Sequence, residues 1–451
     1  MTSNIRQELT GHTRQNYNEY PKGTKLALIT TALVPSIFLS ALDSTIITTA
    51  IPKITDAFGS LDDIGWYGSA FSLTNVAFIS TWGKAYNFFP LRSTFVLAIA
   101  IFEIRNLITG AAPNSPTLIA GRAIAGLGSA GTMTGAFIII AFTVPPELRT
   151  AYMSVLGVTF GCSSVIEPLM GAPPVIDTLS AFVVLRAIFI LNEHRMGSRA
   201  TVQPHFLHKP AFTTNVIYIF FLAGLYFPLY SLPIRFHSLD AVSASISGVH
   251  LIPLVLGISL FTMVSNGLIS YFGRGHLALL VLGGVAGTVG AGLIYSLDQH
   301  ATTTYWIGYE FLAAMGIGVV LQIPTIANQA LVPACDIAAA TATTLFVEKL
   351  GTALFVAAEE AALKNRLVQS VGRYVPDLDP ALVVRTGATR LRMTFGPEHI
   401  GGVLLAYLEG CKVNHALSLA CGGAAAGVAL AMAMPVAVRD WRARRDKPHA
   451  R

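Results

Sequence analysis

Residues 117–142 read TLIAGRAIAGLGSAGTMTGAFIIIAF. This run of 26 residues contains a single charged side chain, Arg122. An α-helix rises about 1.5 Å per residue and the hydrocarbon core of a bilayer is about 30 Å thick, so about 20 apolar residues are enough to cross it. The run is therefore long enough and apolar enough to predict a membrane-spanning helix.

Runs of the same kind recur along the whole chain and predict further spanning helices. They cover residues 26–51, 64–82, 94–110, 152–171, 213–232, 246–271, 277–296, 305–326, 337–358 and 414–438. A shorter run, 175–191, contains Asp177 and Arg186, and it spans only if these side chains snorkel or the bilayer thins locally. Charged residues make up 12% of the chain, against about 25% in soluble domains. The sequence predicts an all-α, polytopic membrane protein with about 11–12 transmembrane helices.

The formal net charge of +6 does not indicate a nucleic-acid partner, because the basic residues concentrate at the ends of apolar runs. Six of them follow the last run: Arg439, Arg442, Arg444, Arg445, Lys447 and Arg451. Since Lys and Arg are enriched on the cytoplasmic side of spans, both termini are predicted to be cytoplasmic. That orientation requires an even number of crossings, so the short run 175–191 is predicted to cross as well.

The predicted organisation is a six-plus-six layout of spans. It comprises a cytoplasmic tail (1–25), an N-terminal helical bundle (26–192), a cytoplasmic linker (193–212), a C-terminal bundle (213–438) with an outer loop (363–412), and a basic cytoplasmic tail (439–451). A short internal repeat supports two related halves. Residues 83–88 (GKAYNF) and 267–272 (GLISYF) share their Gly-to-Phe spacing and a following arginine, Arg92 or Arg274.

Ionisable side chains inside spans mark the candidate functional site, since each costs about 2.5–3.5 kcal/mol to insert. We expect Asp43 to pair with Arg122 or to exchange a proton; the alternative is that Asp43 caps or packs a helix and Arg122 snorkels at the outer interface. Glu103 and Arg105 are predicted either to pair locally or to reach Asp43. Glu167 is predicted to be a titrating group or to lie near the outer interface.

Small residues and proline predict close packing and bending in two runs. In the fourth, Gly126 and Gly131 let neighbouring helices approach closely. In the fifth, three glycines and a proline indicate a bent, closely packed helix that suits a hinge between two access states. They are Gly157, Gly161, Pro168 and Gly171.

Polar residues of the C-terminal half are candidates for lining a substrate cavity: Glu310, Gln322 and Glu348. Glu359 and Glu360 are predicted instead to lie at a solvated helix end. The chain lacks a nucleotide-binding P-loop, a zinc-ligand spacing and a hydrolase nucleophile motif, which argues against an ATP-driven pump or an enzyme. No metal or cofactor is predicted, and an ion gradient is the expected energy source.

These features together resemble the major facilitator superfamily, specifically the fungal fourteen-helix drug:proton antiporters. The matching stretches are the first-helix motif (42–52), the second-helix entry (64–70), the loop signature (83–92), the proton-linked fourth-helix motif (122–131) and the fifth-helix antiporter motif (157–171). The resemblance implies a two-bundle fold with a cavity between the halves. It also implies that Asp43 and Arg122 take part in proton coupling, and that Gly83, Lys84 and Arg92 gate the conformational change.

By this resemblance the activity is proton-coupled export of small amphipathic molecules, such as drugs, fungal toxins or secondary metabolites, by alternating access. The expected membrane is the cell membrane, with a vacuolar or vesicular membrane as the alternative. The expected partners are a small-molecule substrate, protons and the lipid bilayer. Uptake instead of export, and a degenerate, non-transporting sensor or scaffold, are the alternatives.

The chain departs from the family pattern around its sixth helix. Glu167 and Ala172 stand where the fifth-helix motif has glycines. Residues 171–174 then run almost directly into what resembles a remnant of the last extra helix, so about 60–90 residues, roughly three helices by length, are missing. This absence favours the degenerate alternative, whereas the retained Asp43, Arg122 and loop signature favour a transporter.

Overall fold

The computed structural model describes residues 20–445 except for residues 22, 59–63, 111, 170–205, 207, 226, 241, 243, 273–274, 300, 387 and 389–390. Within these ranges the regular secondary structure is entirely helical. Every predicted spanning run in the described part of the chain forms helix. The short run 175–191 and the linker at 193–205 lie outside the described residues.

The described part of the N-terminal half contains five helices: α1 (Thr24–Phe58), α2 (Ile64–Phe88), α3 (Leu91–Gly110), α4 (Ser115–Thr143) and α5 (Pro146–Leu169). Helix α4 has a clear start signal. The side chain of Asn114 accepts a hydrogen bond from the backbone N–H of Thr117 at 3.0 Å, and Pro116 lies in the first turn. Both features satisfy the otherwise unpaired amides of a helix N-terminus.

Eleven α-helices follow in the described part of the C-terminal half. They are α6 (Pro210–Leu225), α7 (Phe227–Ser238), α8 (Ala244–His250), α9 (Ile252–Phe272), α10 (His276–Tyr295), α11 (Thr303–Val320), α12 (Ile323–Ala330), α13 (Ile337–Tyr374), α14 (Pro380–Thr386), α15 (Leu391–Thr394) and α16 (Pro397–Arg445). Two of the predicted spans are interrupted. Leu251 separates α8 from α9, and Leu321 and Gln322 separate α11 from α12. Pro253 and Pro324 lie just after these breaks, where a missing N–H leaves no helical bond unmade.

In the part of the chain that the structure describes, seven helical segments are long and apolar enough to span a bilayer, which makes this a multi-pass membrane protein. They are Thr24–Ala41, Ser115–Thr143, Ile252–Phe272, His276–Tyr295, Thr303–Ala330, Ala334–Tyr374 and Pro397–Pro435. The predicted outer loop at 363–412 contains more helix than expected, because α13 continues to Tyr374 and α16 begins at Pro397. These extensions and the short helices between them bury their own apolar cluster, which includes Val371, Val383 and Val403.

The two halves meet chiefly where α2 packs on α13 and α5 packs on α9, with smaller contacts between α5 and α8 and between α4 and α13. Ala338, Ala342 and Leu345 of α13 belong to the same buried cluster as the core of the N-terminal half. The internal repeat lies at equivalent places, since α2 ends at Phe88 and α9 ends at Phe272. The halves are therefore joined by direct packing of spanning helices, and polar residues at these contacts have a second half to interact with.

Candidate functional site

Asp43, Arg105 and Arg122 form a buried ion cluster, the Asp43 triad, where α1, α3 and α4 meet. Nη1 of Arg122 donates to the Asp43 Oδ2 atom at 3.1 Å and to the Asp43 backbone oxygen at 3.0 Å. Nη1 of Arg105 forms an ion pair with the other carboxylate oxygen of Asp43. The side chains of Arg122 and Asp43 are 1% and 4% exposed, and that of Arg105 is 14% exposed.

Aromatic faces complete the environment of both arginines. The guanidinium carbon of Arg122 lies 4.7 Å from the ring centre of Phe71, and that of Arg105 lies 5.1 Å from the ring centre of Phe102. Buried charges are tolerated only when they are paired, and here one carboxylate faces two cations. The triad therefore carries an excess positive charge. Arg105 pairs with Asp43, which is one of the two alternatives that the sequence predicted for Arg105.

Close packing of α2 against α4 fixes the helix that carries Arg122. A Cβ atom at Gly126 would overlap the backbone oxygen of Phe71, so only glycine lets these backbones approach so closely. Three side chains of α2 donate to backbone oxygens of α4: Asn75 to Gly126 at 3.4 Å, Trp82 to Leu127 at 2.8 Å and Tyr86 to Gly131 at 2.9 Å. The glycines at 126 and 131 thus have a packing role.

A polar cluster, the interhalf network, joins α5 to the C-terminal half. Nε2 of Gln322 donates to the backbone oxygen of Met153 at 2.8 Å. Nδ2 of Asn266 donates to Gln322 Oε1 at 2.9 Å and to Ser154 Oγ at 3.1 Å. Gly157, one turn along α5, packs against the Gln322 amide. The hydrogen bonds to Met153 and Ser154 cross between the halves and must break if the halves separate here, whereas the bond between Asn266 and Gln322 lies within the C-terminal half.

The predicted gating residues lie at the end of α2. A Cβ atom at Gly83 would overlap the Cβ atom of Ala342 on α13, so Gly83 is a point of close contact between the halves. Lys84 is half-buried and Arg92 is exposed at the start of α3. In the second copy of the repeat, a Cβ atom at Gly267 would meet open space.

The other predicted residues are distributed over the molecule. Glu103 is exposed on α3, and Glu348 forms an ion pair with Lys349 at 3.1 Å. Glu310 is fully buried in α11, about 18 Å along the helix direction from Gln322, so the two do not share one site. The side chains of Glu167, Gly161 and Pro168, and all of Gly171, lie outside the described residues. No group of three metal-binding side chains occurs among the residues that the structure describes.

Sequence reasoning missed a second buried polar cluster, between α7, α13 and α16. Glu359 is 4% exposed and accepts a hydrogen bond from Asn414 at 3.1 Å, so the expected solvated position was wrong for this residue. Arg235 is buried and donates to the backbone oxygens of Leu297 and Asp298. Only the position of Glu359 directly after the uncharged stretch 350–358 could have signalled this cluster.

Comparison with known proteins finds a matching family model and several similar proteins. A family model described as Major Facilitator Superfamily matches residues 33–356. The MFS-type efflux pump MFS1 of Trichophyton rubrum is 36% identical, with 85% of this chain and 87% of that protein covered. A probable efflux pump, gsfJ of Penicillium aethiopicum, is 33% identical, with 90% and 87% covered. The first of these alignments runs over 466 positions, more than the 451 residues of this chain, so the relative has residues that this chain lacks.

Solved structures share the fold. A bacterial homolog of the human lysosomal transporter Spinster, inward-facing and unoccupied, has a TM-score of 0.59 at 16% identity, covering 90% of this chain and 98% of that one. The proton:xylose symporter XylE has a TM-score of 0.58 at 13% identity, covering 87% and 94%. At these identities the likeness concerns the fold alone.

Proposed function

This chain belongs to the Major Facilitator Superfamily and is a membrane transporter rather than an enzyme, and we propose that it exports small amphipathic molecules in exchange for protons. Export is supported by relatives that are named as efflux pumps. Their presence in several fungi supports a toxin or secondary metabolite as cargo. We further propose the cell membrane as its location and the lipid bilayer as the medium from which cargo is taken.

The observation that carries the proposal is the Asp43 triad. One carboxylate holds two arginines of two different helices, and a proton on Asp43 would remove the charge that binds both. An ion biases a conformational equilibrium only if it binds the two states differently. Protonation of Asp43 would loosen α1 from α3 and α4, which gives a proton that differential effect. This arrangement supports coupling of transport to a proton gradient.

Alternating access is supported by the contacts between the halves. Rocking of one bundle against the other would break the hydrogen bonds from Asn266 to Ser154 and from Gln322 to Met153, and would separate Gly83 from Ala342. These two hydrogen bonds are few enough to be exchanged for contacts elsewhere. We propose that Gly83, Lys84 and Arg92 gate this movement.

An apolar groove supports amphipathic cargo. It has a volume of about 390 Å³ and opens on the outer surface where α5, α9 and α11 meet. Its lining includes Val158, Leu256, Leu260, Met263 and Phe311, of which the last four are 46–56% exposed. Pockets of this size bind small molecules largely by burial of apolar surface. Because such a lining discriminates by shape and not by charge, it suits a range of amphipathic molecules.

Flux measurements test the proposal. Membrane vesicles from yeast that lack their own drug pumps would be loaded with a panel of fluorescent amphipathic dyes, with and without an imposed pH gradient. We expect dye movement that requires expression of the chain and reverses with the gradient. Accumulation in the opposite direction would indicate uptake. No movement of any dye would favour the non-transporting alternative, to which the residues missing from this chain relative to its relatives point.

A further inference from the structure

Glu310 is a second intramembrane carboxyl in a setting unlike that of Asp43. Its side chain has no exposed surface, and neither carboxyl oxygen has a hydrogen-bond partner among the residues that the structure describes. Around it lie the apolar residues of a buried cluster, including Leu254, Ala313 and Ala314. Trp306, one turn earlier on the same face of α11, is also buried there.

Asp43 and Glu310 lie in different electrostatic surroundings. Asp43 is held by two arginines. A carboxylate that lacks a cationic partner and well-placed donors in an apolar interior is strongly disfavoured, and such a group takes up a proton instead. Glu310 is therefore suited to hold a proton in this conformation.

The charged and titratable groups near this end of the bundle leave Glu310 unpaired. Arg235 on α7 is bound to backbone oxygens at the end of α10. His250 on α8 contacts the rings of Phe236 and Trp306, with ring centres 4.9 and 4.7 Å away. The tyrosines of α10 and α11 in this region are Tyr295, Tyr305 and Tyr309. Helix α9 carries no charged residue, and its one tyrosine, Tyr271, is at the opposite end.

The break between α8 and α9 places a backbone N–H near Glu310, and the ionised form of Glu310 would need such donors. Leu254 is in the first turn of α9, and its backbone amide lies close to the Glu310 carboxyl. A helix N-terminus favours a negative charge, because its first amides have no helical partner and the helix dipole is positive there. A small shift of α9 relative to α11 would let these amides, and water, stabilise a carboxylate.

We propose that Glu310 carries an exchangeable proton of the transport cycle, held as a carboxylic acid in this conformation and released to water as the carboxylate when α9 shifts relative to α11. This inference rests on the proposed proton-coupled export. The step is a simple dissociation, in which the O–H bond breaks, the electron pair stays on Glu310 and the proton passes to water. Glu310 corresponds in depth to Arg122, since each lies about two turns into its helix.

Infrared spectroscopy of the purified full-length chain tests the proton directly, without a substrate. The difference spectrum between wild type and Glu310→Gln at neutral pH should show loss of one C=O band of a protonated carboxylic acid, and that band should shift in D₂O. Glu398→Gln, at an 81% exposed carboxylate, serves as the matched control and should remove carboxylate bands only. Loss of carboxylate bands in Glu310→Gln, with no carboxylic acid band lost, would overturn the proposal.

Two further measurements keep the outcome unambiguous. If Glu310→Gln does not fold, Glu310→Asp should retain the carboxylic acid band at a shifted frequency, and an unshifted band would assign the proton to another group. In vesicles, Glu310→Gln should move dye down its concentration gradient but lose the response to a pH gradient. A wild type that moves no dye would contradict the proposed export and leave the spectroscopic result intact. If dye movement responds to the pH gradient equally in the wild type and in Glu310→Gln, only the role of Glu310 is contradicted.

Discussion

The side-chain amide of Gln322 donates to the backbone oxygen of Met153 at 2.8 Å, across a sequence separation of 169 residues. The same side chain accepts from Asn266 at 2.9 Å. Gln322 lies in the break between α11 and α12, where the backbone leaves the helical path and its side chain can turn toward α5. One residue thus connects an interruption of a spanning helix to the contact between the two halves.

Replacing Gln322 by leucine should weaken the contact between the halves. The change removes two buried hydrogen bonds and leaves polar atoms of Met153 and Asn266 without their partner, at about 1–3 kcal/mol for each unsatisfied group. We expect a lower midpoint of thermal unfolding in detergent and faster alkylation of a cysteine introduced at Ser154. Thr303→Val, at an exposed position at the start of α11, is the control and should change neither value. Equal alkylation rates in both variants would show that Gln322 does not hold the halves together.

Arg122 and Arg105 should respond differently to replacement by lysine. Arg122 uses one nitrogen for both the backbone and the carboxylate of Asp43, while its guanidinium stacks on Phe71. A lysine keeps the charge but loses the planar contact and at least one charge-assisted hydrogen bond, which is worth about 1.5–3 kcal/mol. We expect Arg122→Lys to reduce pH-driven dye export about tenfold or more, and the less buried Arg105→Lys to reduce it less.

Asp43→Asn tests the same triad from its acidic side. Asparagine keeps the shape but cannot carry the charge that binds two arginines, so both guanidinium groups lose their counter-ion. We expect export to become independent of the pH gradient, measured as dye flux in vesicles at equal expression. Unchanged gradient-dependent export would remove Asp43 from the coupling mechanism and leave it a packing role.

The two copies of the internal repeat offer a matched pair of glycine substitutions. Gly83→Ala places a methyl group against Ala342, which cannot move aside as a flexible side chain would, so overpacking of about 1–3 kcal/mol is expected. Gly267→Ala meets open space and should be neutral or stabilising by up to about 1 kcal/mol, because alanine favours helix over glycine. Thermal unfolding in detergent measures both. A similar loss of stability in both variants would mean that Gly83 is not a tight contact between the halves.

Most of the fold was predictable because the length and apolarity of a spanning helix are local properties of the sequence. The pair of Asp43 and Arg122 was predictable too, since each charge inside a span needs a partner. The pairing of Arg105 with Asp43 was not predictable, because Glu103, two residues away, was the alternative partner for Arg105. The interhalf network joins residues more than 100 positions apart, and neutral amides in apolar runs give no sequence signal of their partners.

Substitutions at Glu359 and at its neighbour Glu360 test the buried polar cluster between α7, α13 and α16. Glu359 is buried and accepts a hydrogen bond from Asn414, whereas Glu360 is half-buried and pairs with Lys364 at 2.8 Å, one turn away on α13. Removal of a buried hydrogen bond to a charged group costs about 1.5–3 kcal/mol, and that of a surface pair four residues apart about 0.3–0.5 kcal/mol. Glu359→Ala should therefore lower the midpoint of thermal unfolding clearly more than Glu360→Ala. Both changes delete the same side chain from adjacent positions of one helix, so the effect of helix propensity is the same in the two variants. Equal shifts of the unfolding midpoint would place Glu359 at a solvated helix end, as the sequence predicts.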